Sequence, residues 1–61
     1  MNRINEIRKK QKVTQVELSK KTGIAQSELS LIINEKKTCN IDTAKKIARA
    51  LGYSVEYIWP D

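Results

Sequence analysis

The sequence predicts an all-α domain, a compact bundle of five short helices. Three observations carry that expectation. Apolar residues recur three and four apart almost throughout, β-branched residues are scattered rather than alternating with polar ones, and only two glycines and one proline interrupt 61 residues. A chain of this length is expected to form a single domain, residues 1–61. So small a domain buries only about 60 % of the surface its unfolded form exposes, so its core must be compact.

A first helix is expected from about Asn2 to Lys10. Ile4 and Ile7 share a face there, and Glu6 precedes Lys10 by four residues, the favourable order for a solvent-side pair. Thr14-Gln15-Val16-Glu17 reads as a capping box, which starts a second helix at Gln15. Its apolar positions Val16 and Leu18 continue from Val13. Gly23, able to take the left-handed conformation that ends helices, stops it near Lys21 or Thr22. Little more than Gly23 and Ile24 separates this helix from the next, so the two must meet steeply rather than fold back antiparallel. A helix, a short turn containing Gly and a second helix is helix-turn-helix geometry.

The third helix is expected over Ala25–Asn34. At about 100° per residue, Ala25, Leu29 and Ile32 fall on a core side, with Ser27, Ser30, Leu31 and Asn34 opposite and Gln26 on the shoulder. Ala25 offers no capping oxygen, a loss of about 1 kcal/mol, offset in part if the Glu28 carboxylate returns to a backbone amide. After a polar loop over 35–39, Asn40 caps a fourth helix whose Ile41, Ala44, Ile47, Ala48 and Leu51 form an apolar stripe ended by Gly52. Ser54 caps a short fifth helix, and Pro60 excludes a further helical turn. Val55, Ile58 and Trp59 are expected to close the base of the core.

Composition narrows the function classes. Twelve Lys and Arg against seven Asp and Glu give a formal charge of +5, which favours a polyanionic partner, although the same balance also serves solubility. With no His and a single Cys, Cys39, the sequence has no internal disulfide, no His/Cys metal cage and no Cys/His or Ser/His/Asp catalytic set. Paired acids in a pocket and a glycine-rich phosphate loop are also missing from the pattern, so neither an enzyme nor a cofactor is expected. The longest apolar stretch, around Leu29 to Ile33, is far below the roughly 20 residues of a membrane span. No basic start followed by an apolar run signals secretion, and a lone Cys fits a reducing compartment, so a cytoplasmic location is expected.

Thr14-Gln15-Val16-Glu17-Leu18-Ser19, Gly23-Ile24-Ala25-Gln26-Ser27, then Leu29, Ile32 and Asn34, and later Ile41-Asp42-Thr43 and Lys46 to Gly52 together form a specific pattern. With it the chain resembles the lambda-repressor and Cro type of helix-turn-helix, the XRE-like family, over nearly its whole length. The resemblance implies a DNA-binding regulator whose third helix lies in the major groove. It implies base readers at Gln26, Ser27 and Leu31, with Ser30 beside them. Gln suits adenine, Ser several base edges and Leu a thymine methyl. It also implies phosphate contacts at Gln15, which starts the second helix and can brace Gln26, and at Asn34, Lys36 or Lys37 and the amides of the following loop. Ser19 is expected to be small because the two helices cross close to it.

Three residues depart from the family pattern. Ala25 replaces a usual Ser or Thr, Ile33 a frequent Glu that pairs with an Arg of the first helix, and Glu35 a common Gly. Without that pair Arg8 is expected to be released and to reach a phosphate. Glu28 flanks the reading helix, as either a dipole-satisfying acid or an acceptor from cytosine N4. Of the other basic residues, Lys9, Lys10, Lys12, Lys45, Lys46 and Arg49 read as solvated helix ends and faces.

The expected function is a sequence-specific regulator, a repressor, bound as a homodimer to a two-fold site. Tyr53, Val55, Tyr57, Ile58 and Trp59 supply the apolar surface for the dimer contact. The alternative is an antitoxin or antirepressor whose main partner is a protein, which Leu31 and Ile33 on the third helix would favour.

Overall fold

The computed structural model describes residues 2–60, which form five helices: α1 (Ile4–Gln11), α2 (Gln15–Thr22), α3 (Gln26–Ile33), α4 (Ile41–Leu51) and α5 (Val55–Ile58). No strand occurs among the described residues. α2 packs against both α3 and α4, and α4 packs against α5.

The helix starts are local hydrogen-bond events. Glu17 N donates to Thr14 Oγ1 at 3.1 Å and Thr14 N donates to Glu17 Oε1 at 3.2 Å, closing the capping box. These bonds, with Lys21 and Lys20 nearby, hold the exposed Glu17 carboxyl below its ordinary pKa. Asn40 Oδ1 accepts from Thr43 N at 2.8 Å and Ser54 Oγ from Tyr57 N at 3.1 Å, so both expected caps form. α1 starts two residues later than expected because Asn2 stays outside it, its Oδ1 accepting the Ile4 amide at 3.1 Å.

Four helices end on a left-handed residue. Gly23 and Gly52 do so at φ +75° and +80°, Lys12 and Glu35 both at +60°. After α3, Glu35 N donates to the Ile32 carbonyl and Lys36 N to the Leu31 carbonyl, a complete Schellman motif. Lys12 and Val13 make the same pair of bonds to Lys9 and Arg8 after α1. Glu35 thus takes the left-handed conformation that glycine adopts most readily.

Ile4, Ile7, Leu18, Leu29, Ile47 and Ile58 are fully buried and draw every helix into one core, joined by Ile24, Ile32, Ile33, Ala48 and Leu51. Four apolar expectations are corrected. Ile33 is buried because it lies only about 40° from Leu29 around the helix. Ala25 precedes α3 in an extended conformation and is exposed. Val16 is 45 % exposed because it sits about 200° from Leu18. Ile41, at the first position of α4, is 59 % exposed, so the stripe begins in effect at Ala44.

Candidate nucleic-acid interface

The turn between α2 and α3 buries Ile24, whose backbone groups therefore need partners. Two hydroxyls supply them. Thr22 Oγ1 donates to the Leu18 carbonyl at 2.8 Å and accepts from Ile24 N at 3.2 Å, and Ser19 Oγ donates to the Ile24 carbonyl at 2.5 Å. Ser19 is thus both small enough for its place and a hydrogen-bond donor there. Thr22 was invisible to apolar periodicity, although a hydroxyl one residue before a helix-ending glycine is a readable signal.

Leu29, Ile32 and Ile33 bury one side of α3, which turns the opposite side outward. Gln26, Ser27, Leu31 and Asn34 are exposed there and Ser30 is half-buried among them, so the four expected base readers share one surface. Leu31, 43 % exposed, is the apolar member of that face. Gln15 is the half-buried first residue of α2.

The residues expected at phosphates have more varied surroundings. Asn34 Nδ2 folds back on the Ser30 carbonyl at 3.0 Å, closing the end of α3. The amides of Glu35 and Lys36 donate to α3 carbonyls, so they are not the loop donors expected for a phosphate. Arg8 is not released: its Nη2 and Nε donate to Asn5 Oδ1 at 2.8 and 3.2 Å and its Nη1 to the Val13 carbonyl at 3.2 Å. The guanidinium braces the link between α1 and α2 instead. Glu28 does not return to a backbone amide, and its Oε1 accepts from Lys37 Nζ at 3.0 Å.

At the other end of the chain, Tyr53 and Tyr57 stack with ring centroids 4.9 Å apart, and the Arg3 guanidinium lies 4.5 Å over the Tyr57 ring. Ile58 lies wholly inside the core and is withdrawn from the expected dimer surface, leaving Tyr53, Val55, Tyr57 and Trp59 partly exposed. Burial pushes the Cys39 thiol pKa up, the opposite of what a nucleophile or metal ligand needs. The described residues hold no group of three or more His, Cys, Asp or Glu able to bind a metal, and no helix among them is long and apolar enough to cross a membrane.

A family model described as helix-turn-helix matches residues 4–58, from the start of α1 to the end of α5. No curated protein matches the chain.

Proposed function

Because the chain belongs to the lambda-repressor-like helix-turn-helix family of DNA-binding regulators, we propose that it is a transcriptional repressor that inserts α3 into the major groove of a two-fold operator. The observation that carries this reading is the division of α3 into a buried side, Leu29, Ile32 and Ile33, and an outward side of small polar residues. Gln26, Ser27, Ser30 and Leu31 are its base readers, and Gln15, Asn34 and Lys36 its phosphate contacts. Arg8 contributes through the donors that Asn5 and Val13 do not use.

The two kinds of contact separate experimentally. Gln26→Ala relaxes preference at one base pair, by about 1–3 kcal/mol, whereas Lys36→Ala weakens all sequences alike and lowers the salt dependence by about one phosphate. Equal loss on every sequence for both variants would sink the assignment of Gln26.

Two copies would read half-sites about 34 Å apart, with Tyr53, Val55, Tyr57 and Trp59 as the contact surface. Ultracentrifugation tests this: a monomer at micromolar concentration, both free and on operator DNA, rules the dimer out. The second reading, an antitoxin or antirepressor bound mainly to a protein, keeps Leu31 as its support but loses Ile33 to the core. Salt-independent affinity for duplex DNA would favour it.

A further inference from the structure

Lys36 and Lys37 are adjacent, exposed and identical in charge, so composition alone treats them as equal candidates for a phosphate. Their surroundings differ. Of the two, only Lys37 is ion-paired among the described residues, with its Nζ 3.0 Å from Glu28 Oε1 on the first turn of α3. Both side chains of the pair are about half exposed, at 50 % and 41 %.

We infer that Glu28 is a positioning residue that withholds Lys37 from the DNA backbone, leaving Lys36 as the loop lysine that neutralises a phosphate. This rests on the reading of α3 as the groove helix.

An exposed ion pair is weak in water. Near DNA its alternative is worse. To reach a phosphate, Lys37 would leave an uncompensated carboxylate on the flank of a helix surrounded by phosphates. Retained, the pair is neutral as a unit and releases no counterions from DNA. Each lysine that does neutralise a phosphate adds about 0.9 to the slope of log affinity against log salt, which is about a threefold change in affinity between 50 and 200 mM salt. Glu28 therefore removes one phosphate's worth of sequence-independent binding. It lowers affinity for every duplex alike.

The test is the salt slope of binding to a duplex of random sequence, for the wild-type chain and three variants: Lys36→Ala, Glu28→Gln and Glu28→Gln with Lys37→Ala. All alter exposed or half-exposed side chains, and circular dichroism checks that each is folded. Lys36→Ala should reduce the slope by about 0.9. Glu28→Gln should increase it by about 0.9, so that its affinity relative to wild type rises about threefold as salt falls from 200 to 50 mM, and the double variant should restore the wild-type slope. An unchanged slope for Glu28→Gln, or a Glu28→Gln slope that the added Lys37→Ala does not lower, overturns the inference while DNA binding stands. Absence of salt-dependent duplex binding by the wild-type chain overturns both.

Discussion

The α2–turn–α3 unit and the junction where α1 meets the later helices are held together at different ranges. In the first, every polar tie spans five residues or fewer: Thr14 with Glu17, Thr22 with Leu18 and Ile24, Ser19 with Ile24. In the second, Asn2 Nδ2 donates to the carbonyls of Ile32 and Ile33 at 3.3 Å, Gln11 Nε2 to the Leu51 carbonyl at 2.6 Å and Arg3 N to the Ile58 carbonyl at 2.9 Å. Those ties cross 30 to 55 residues of sequence. The element that presents α3 is thus locally specified, and the long-range ties clamp its far end to the body. Asn2 does this directly, because the carbonyls it binds belong to the last turn of α3.

The largest break in that comparison should come from Thr22→Val. It keeps the shape but leaves the buried Ile24 amide without its acceptor, costing about 1–3 kcal/mol. In a domain of this size each kcal/mol lowers Tm by about 4–8 °C. Because the lost bond lies in the turn, duplex affinity should fall as well when measured at a temperature where the variant is folded.

Asn2→Ala should cost about 1 kcal/mol in chemical unfolding. Its long-range bonds go to carbonyls behind the reading face, so base preference should be retained; a changed preference would show that the junction, and not the turn, sets the pose of α3.

Nothing lies within 4 Å of a Cβ placed on Gly23, so Gly23→Ala should cost only the backbone strain of its positive φ, about 1 kcal/mol. Lys12 already carries such strain, and Lys12→Gly should stabilise the domain by about 0.5 kcal/mol after the added freedom of the unfolded chain is counted.

The smallest effect concerns pH. The Glu17 carboxyl is held below its ordinary pKa in the folded state, so its contribution is complete above the unfolded value and is lost as pH falls through the folded one. Glu17→Gln should flatten that part of the acid unfolding curve.

The outward face of α3 was legible because helical period alone puts Ser27, Ser30, Leu31 and Asn34 opposite Leu29 and Ile32. The partners of the charged residues were not. Glu28 and Lys37 are nine residues apart and meet only because the Schellman turn at Glu35 folds the loop back on α3. The expected release of Arg8 fails for a related reason: losing one family partner at Ile33 does not free it, since Asn5 and the Val13 carbonyl are within reach.

The sequence by itself determined the number of helices, the caps at Thr14, Asn40 and Ser54 and the stops at Gly23 and Gly52, because a cap depends on atoms within about four residues of it. It also determined how short the turn between α2 and α3 is, residues 23–25. The places of Ile33 and Val16 follow from the helical period once Leu29 and Leu18 face the core, whereas tertiary packing alone left Ile41 in solvent, although it shares the stripe of Ala44 and Ala48, and chose the distant carbonyls that Asn2 and Gln11 bind. Both choices depend on what lies across the interface, and no periodicity within one helix contains that information.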